Sequence, residues 1–136
     1  MTTTMTDDGL AKSVAGKIAR LVADRDLDGL RAVYTPDACI WHSSDDKEKT
    51  VEESLEFLAA QLSLTTKLWF EDQRVTPTPS GYVDQHYVCG LLTTGDEVRI
   101  PICFVVTLEG DRVKRLDDYA RFEPLAPAVA ALSENE

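Results

Sequence analysis

The spacing of apolar residues changes near residue 66 from a helical period to a strand period, and this change constrains the fold more than any other feature of the chain. Before it, apolar side chains recur three and four positions apart, as in helices that bury one face. After it, apolar and polar side chains alternate, as in strands of a half-buried sheet. The alternating segments are 68–75, 82–92, 98–108 and 112–119.

The first half of the chain begins with two predicted helices and a turn. Apolar residues mark an amphipathic helix over 10–22 and a short second helix over 27–34. The second helix must stop before Pro36, because the residue that precedes a proline avoids the helical region. The segment 35–37 is therefore predicted to be a turn.

A short strand and a third helix complete the first half. The segment 38–42 is rich in residues that suit a pleated surface. Thr50 followed by Glu53 has the sequence of a capping box, which predicts a helix that begins there and ends near residue 63. A last short helix is predicted over 124–132.

This order predicts an α+β fold in which a curved antiparallel sheet wraps around about three helices and leaves a cone-shaped cavity between the two layers. The 136 residues are expected to form one domain, 1–136, with frayed ends at 1–8 and 133–136. The strand 98–108 is apolar on one face and mixed on the other. We therefore expect a second copy of the chain to cover its outer face, which would make the protein a homodimer.

Charge and cysteine content exclude several classes of protein. Lys and Arg number 14 and Asp and Glu number 24, so the net charge of −10 repels nucleic acid and anionic lipid. No apolar run approaches the roughly 18 residues that a membrane span needs. The cysteines form no paired motif and lie in apolar, strand-like segments, so we expect reduced, buried thiols in a cytoplasmic protein. They are Cys39, Cys89 and Cys103.

Two phrases of the sequence resemble the SnoaL-like branch of the nuclear transport factor 2 superfamily. The first is LRAVYTPDA at 30–38 followed by WH at 41–42, and the second is GDRVKRLDDY at 110–119. The similarity covers about residues 10–125. It implies the superfamily's cone-shaped fold, which hosts many functions. Polyketide cyclases, limonene epoxide hydrolases and ketosteroid isomerases are relatives, and they hold a small apolar ligand in the cone and act on it by acid–base chemistry.

The resemblance also implies which side chains face the cavity. The implied catalytic residues are Asp118, His42 and Tyr87. The implied substrate-binding positions are Ile18, Ile40, Gln85, Cys89, Pro101, Cys103, Leu116 and Ala120. A single β-bulge would exchange the two faces of a strand, and His86 would then enter the cavity in place of Gln85 and Tyr87.

The catalytic sets of these relatives are only partly present. The Tyr, base Asp and protonated Asp of the ketosteroid isomerases fall on Ile18, His42 and Cys103, so that mechanism is not expected. The cyclases and epoxide hydrolases share an Asp just before an aromatic residue in the last strand. That Asp falls on Asp118, which Tyr119 follows.

Asp118 and His42 are the candidate acid–base pair. Asp117 and Asp118 are consecutive in a strand and must face opposite sides. If Asp118 faces the cavity, its apolar neighbours disfavour the carboxylate and raise its pKa, and His42 can exchange a proton or orient it. From position alone, two alternatives remain: Asp118 pairs with an arginine at the mouth of the sheet, and His42 is a surface residue at a strand end.

Tyr87 and Gln85 are the candidate hydrogen-bond donors to a substrate oxygen that becomes anionic, although both residue types are common on half-buried strands. No His or Cys spacing predicts a metal site, and no glycine-rich loop predicts a phosphate site. We predict no cofactor and no metal.

The leading hypothesis is a cofactor-free isomerase, cyclase or epoxide-hydrolase-like enzyme that acts on a small, apolar, oxygenated molecule. The rival is a non-catalytic module of the same fold that binds a small ligand or only dimerises. A protein-docking scaffold is a third alternative. A titration between about pH 5 and 8 in turnover or binding would distinguish the enzyme from an apolar binder.

Overall fold

The computed structural model describes residues 4–120, which form three helices and one six-stranded sheet. The helices are α1 (Asp8–Ala23), α2 (Leu27–Val33) and α3 (Val51–Ser63). The strands are β1 (Tyr34–His42), β2 (Lys47–Lys49), β3 (Thr65–Pro77), β4 (Gly81–Leu92), β5 (Glu97–Glu109) and β6 (Arg112–Ala120). The predicted α+β fold is confirmed. The helix predicted over 124–132 and the frayed end predicted over 133–136 lie outside the described residues.

The strands are ordered β2-β1-β6-β5-β4-β3 across the sheet. Strands β3 to β6 form the expected antiparallel meander. The sheet is nevertheless mixed, because β1 pairs in parallel with β6. Parallel neighbours need a long connection, and here α3 and the meander supply it. The sheet is therefore antiparallel, as predicted, except at this one pair, which sets Ile40 beside Leu116 and His42 beside Asp118.

Strand β1 starts earlier than predicted. Residues 35–37 were expected to form a turn, but they belong to β1, which begins at Tyr34. The register of β1 against β6 shifts between Tyr34 and Cys39, and this irregularity accommodates Pro36, which cannot donate to a regular ladder. Strand β2 was not predicted, because three residues are too few to show a period.

The three helices pack on one face of the sheet. Both α1 and α3 begin with a side-chain cap: the Asp7 carboxylate accepts from the Leu10 N–H, and Thr50 and Glu53 form the predicted capping box. The Thr6 N–H also donates to the Thr78 carbonyl. The fraying expected over 1–8 therefore does not extend to residues 6–8. No helix within residues 4–120 has the length and hydropathy needed to cross a bilayer.

The inner faces of β4 and β5 are opposite to those that the resemblance implied. The inward residues form the core with α1: Tyr82, Phe104 and Val106 are each buried there. The register between β4 and β5 is continuous from Gly81 to Leu91, so alternation carries the same assignment along both strands. A displacement of one residue exchanges the two faces of a strand. The implied inward positions therefore lie on the outer face: Gln85, Tyr87, Cys89, Pro101 and Cys103.

Gly81→Ala is expected to destabilise the fold, because a Cβ at Gly81 would lie 1.9 Å from the carbonyl oxygen of Val106. The obstacle is backbone, so relief requires separating β4 from β5, at about 2 kcal/mol or more. Gly16→Ala is the matched control, since a Cβ on that α1 residue meets nothing within 4 Å and should stabilise the helix by about 0.5–1 kcal/mol. Urea unfolding of both variants measures the difference; equal stabilities would contradict the β4–β5 contact.

Candidate active site

A cavity of about 100 Å³ lies between the helices and the inner face of the sheet. Most of its lining is apolar and comes from α1, α3 and the inward residues of β4, β5 and β6. The polar side chains that line it are Tyr34, His42, Ser54, Gln61, Thr65 and Asp118. Within residues 4–120 no three His, Cys, Asp or Glu side chains are grouped to hold a metal ion.

His42 and Asp118 meet at one wall of this cavity. They are register partners in the parallel β1–β6 pair, and His42 Nε2 lies 3.6 Å from Asp118 Oδ2. This distance is longer than a hydrogen bond. The side chains are 7% and 13% exposed, and His42 Nδ1 and Asp118 Oδ1 are buried with no hydrogen-bond partner among the described residues. The two residues of the candidate pair are thus brought together with unused hydrogen-bonding capacity.

Burial moves the pKa values of the two groups in opposite directions. It raises the pKa of Asp118 from 3.8 to about 7, against the smaller effect of the Lys49 cation. The pKa of His42 is lowered from 6.5 to about 4, mainly by burial and also by the Lys49 cation, while Asp45 acts in the opposite direction. At neutral pH the imidazole is uncharged and the carboxyl is partly protonated. A group with a pKa near the working pH both accepts and returns a proton efficiently.

Lys49 is the cation beside the pair, and the sequence did not reveal it. It lies opposite Ile40 in the β1–β2 ladder, so it shares the inner face. Its Nζ lies 2.6 Å from Asp45 Oδ2 and 5.0 Å above the Phe57 ring, whose centroid is 4.4 Å from that of His42. Lys49 therefore limits how far burial can raise the pKa of Asp118.

Tyr34 is a second residue that sequence reasoning missed. It was placed at the end of a helix, but it opens β1 and lines the cavity. Burial raises the pKa of Tyr34, and the nearby Asp118 acts in the same direction, so the hydroxyl keeps its proton. Ser54 and Gln61 on α3 also line the cavity. Their spacing of seven residues was the available signal, because it places both on one helical face.

Three of the implied binding positions line the cavity: Ile18, Ile40 and Leu116. Ala120 shares the inner face of β6 with Asp118 by alternation, but it is not among the lining residues.

The residues implied on β4 and β5 lie elsewhere. Gln85, Tyr87, Pro101 and Cys103 border a shallow groove of about 250 Å³ on the outer face. The Arg99 guanidinium carbon lies 3.9 Å above the Tyr87 ring, and Arg99 Nη1 lies 3.8 Å from the Cys89 sulfur. The prediction that these five residues line the cavity is wrong, because the one-residue displacement described above turns them outward.

The opposite pKa shifts predict opposite pH dependences of stability. Between pH 4 and 7 the folded state keeps the Asp118 proton that the unfolded chain has lost, so this group makes stability fall as pH rises. Between pH 4 and 6.5 the unfolded chain holds a proton on His42 that the folded state lacks, so this group makes stability rise. As the pH rises from 4 to 7, the stability of Asp118→Asn relative to wild type should increase. As the pH rises from 4 to 6.5, the stability of His42→Gln relative to wild type should decrease. Each change should amount to roughly 2–4 kcal/mol.

Urea unfolding at a series of pH values measures these differences. The variant-minus-wild-type comparison cancels the contributions of the other carboxylates. A flat difference for Asp118→Asn would mean that Asp118 has an ordinary pKa, and the description of the site as a buried pair would then be wrong.

Solved structures share this architecture at low sequence identity. AclR from Streptomyces galilaeus, provisionally described as a hydroxylase, has a TM-score of 0.79 at 14% identity, with 90% of this chain and 86% of that chain covered. PrhC from Penicillium brasilianum has a TM-score of 0.77 at 12% identity over 92% and 91%. A protein from Shewanella putrefaciens, provisionally described as a SnoaL-like polyketide cyclase, has a TM-score of 0.71 at 16% identity over 89% and 96%.

At these identities the likeness establishes the fold alone. No curated protein sequence matches the chain significantly. The profile of the family described as SnoaL-like domain matches residues 16–116, which is most of the chain. Together with the three-helix, six-strand architecture, this match shows that the chain belongs to the SnoaL-like domain family.

Proposed function

We propose that the protein is a cofactor-free acid–base enzyme that acts on a small, apolar, oxygenated molecule in the cavity. The observation that carries this proposal is Asp118: a carboxyl with a pKa of about 7 in an apolar cavity, 3.6 Å from a neutral His42. Burying a carboxyl at this position costs free energy that an apolar residue would not cost, which favours a functional role over packing. A pKa of about 7 also suits proton transfer at neutral pH.

The geometry fits proton transfer at an enolisable carbon. The Asp118 carboxylate takes the proton from carbon, and the electron pair of the C–H bond moves to the neighbouring carbonyl oxygen. Tyr34, rather than the outward-facing Tyr87, is the hydroxyl placed to donate a hydrogen bond to that oxygen. Protonated Asp118 then returns the proton to a different carbon in an isomerisation. In a cyclisation, the carbanion attacks a second carbonyl of the same molecule, and the alkoxide that forms takes the proton back from Asp118.

The lining supports an apolar substrate with few polar groups. Polyketide cyclase is the description given to the relative from Shewanella putrefaciens, and cyclisation of a poly-oxygenated chain begins with the same proton abstraction. Water addition to an epoxide is the further member of the proposed reaction class, with protonated Asp118 as the acid.

Asp118→Asn tests the proposal against Asp117→Asn as a matched control. Asp117 is the next residue along β6 and pairs with Arg115 at 3.0 Å. The assays are deuterium exchange at the α-carbons of cyclohexanone, followed by NMR, and hydrolysis of cyclohexene oxide. Wild type should accelerate one of them with an apparent pKa near 7. Asp118→Asn should lose about 10²-fold or more, and Asp117→Asn should keep the wild-type rate.

The rival function is a non-catalytic module that binds a small ligand in the same cavity. The separation of 3.6 Å between His42 and Asp118 and the absence of complete catalytic sets from related enzymes favour it. If binding of a small apolar ligand is independent of pH from 5 to 8, and Asp118→Asn changes no rate in either assay, the binding module is the correct function.

We also propose that two copies of the chain associate through the outer face of the sheet, in a reducing, cytoplasmic compartment. Val105 and Tyr119 are large apolar side chains on this face, and they are 38% and 48% exposed. They are diagonal neighbours in the β5–β6 ladder, in which Val105 pairs with Asp117 and Tyr119 with Cys103. Tyr119 also borders the groove on this face. A second copy would remove this apolar surface from water. The three cysteines are free thiols, which fits a reducing compartment.

Val105→Asp should weaken the proposed dimer at least tenfold, because each interface would bury two additional charges close together. Met5→Asp is the control: Met5 is 53% exposed but lies outside the sheet. Sedimentation velocity at micromolar protein measures the association. A wild-type protein that stays monomeric at 100 μM contradicts the dimer.

A further inference from the structure

A second buried pair lies on the inner face of β4, away from His42 and Asp118. Asp84 and His86 are 1% and 2% exposed, and His86 Nδ1 lies 3.0 Å from Asp84 Oδ1. They are two residues apart on one strand, so both side chains face inward. Burying such a pair usually costs more free energy than an apolar pair of the same size would. Neither residue has a part in the proton transfer proposed above.

Gln73 fixes the protonation pattern of this pair. The register of β3 against β4 shifts between Glu71 and Arg74, and the bulge lets Gln73 reach inward. Gln73 Nε2 donates to Asp84 Oδ2 at 2.8 Å and to the Ala15 carbonyl of α1 at 3.1 Å. Asp84 therefore accepts on one oxygen from the amide and on the other from the imidazole. Because a carboxylate only accepts, Nδ1 of His86 carries a proton, and in the neutral imidazole Nε2 is then the nitrogen with the lone pair.

The lone pair of His86 is not used within the described residues. Nε2 is buried and has no hydrogen-bond partner there. The Tyr82 hydroxyl, two residues before Asp84 on the same face, is likewise buried without one. Buried polar groups nearly always have partners, and these two atoms each keep the capacity for one further hydrogen bond.

The His86 ring sits directly behind the cavity wall. Its centroid lies 4.0 Å from that of Phe70, with the rings stacked, and 4.8 Å from that of Phe104. Both phenylalanines line the cavity. Phe104 is also the cross-strand neighbour of both Asp84 and Asp118. The two buried pairs therefore lie on one face of the sheet with a single strand between them, about 10 Å apart at Cα.

The size of the cavity gives an independent reason to expect this wall to move. A volume of about 100 Å³ is smaller than the roughly 300 Å³ or more of ordinary small-molecule sites. Phe70 covers the face of the His86 ring, is itself only half-buried and belongs to β3, the edge strand of the sheet. A ligand that displaces Phe70 gains volume and reaches His86 in the same step.

We propose that Asp84 and His86 form a second polar subsite of the cavity, closed by Phe70 in the empty protein, in which His86 Nε2 accepts a hydrogen bond from a hydroxyl group of the ligand. Asp84 and Gln73 hold the imidazole in the accepting tautomer. The subsite selects a hydroxylated ring compound, such as a phenol or an enol, over the same ring without oxygen. This inference rests on the proposed function only in taking the cavity as a ligand site.

Naphthalene and 2-naphthol are the matched probes, because they share a shape, exceed the volume of the closed cavity and differ by one hydroxyl group. Fluorescence titration should give wild type about fivefold tighter binding of 2-naphthol, the usual effect of one hydrogen bond. The preference should disappear in the double variant Asp84→Asn/His86→Phe, which leaves no unpaired buried charge. It should persist in Asp117→Asn, because the Asp117 carboxylate faces the other side of β6 and pairs with Arg115 at 3.0 Å.

If the double variant does not fold, nitrogen NMR of the wild-type histidines tests the proposal directly, because it reports hydrogen bonding at His86 Nε2. The His86 Nε2 resonance should start at the shift of an unprotonated nitrogen and move with 2-naphthol but not with naphthalene. The proposal is wrong if neither probe binds up to its solubility limit, if Nε2 stays in place when 2-naphthol binds, or if the preference survives in the double variant. Loss of turnover in Asp118→Asn together with an unmoved Nε2 would leave the proposed function intact and reject only this subsite.

Discussion

The parallel pairing of β1 with β6 is the interaction on which the site depends. It joins the strand that follows the second helix to the last strand of the meander, and so places His42 beside Asp118 although 76 residues (118 − 42) separate them. The same ladder puts Ile40 next to Leu116 and forms the apolar floor that surrounds the pair. Without it, the inward acid of β6 would lie at a sheet edge, in water, with an ordinary pKa.

Desolvation of that pair accounts for most of its chemistry. The same burial disfavours the charged form of each partner, so it raises the pKa of the carboxyl and lowers that of the imidazole. At neutral pH an uncharged imidazole therefore faces a carboxyl that is only partly ionised, and the separation of 3.6 Å agrees with the absence of a full ion pair. Lys49 acts against burial at Asp118 and keeps the carboxyl pKa close to neutrality.

The inner face of the sheet combines apolar packing with two polar pairs, and Phe104 lies between them. Its ring belongs to the core, lines the cavity and contacts the His86 ring. The outer face of β6 has no comparable enclosure among the described residues: Asp117 pairs there with Arg115, and Tyr119 is 48% exposed. Consecutive residues of β6 thus lie in different environments, because the side chains of a strand alternate between its two faces.

The sequence by itself determined the α+β class, the three helices, the capping box of the third helix and the antiparallel meander, because periods of 3.6 and 2 and the capping residues are local properties. It also singled out Asp118 and His42, through a resemblance to known families. Only the tertiary structure decided the parallel β1–β6 pair, the inward face of β4 and β5, and the positions of Tyr34, Lys49 and His86. Local patterns cannot decide which face of a strand is inward, because a displacement of one residue leaves the period unchanged and reverses every side chain. They also cannot decide how β1 and β2 pair, because those strands meet their partners through contacts that no local pattern records.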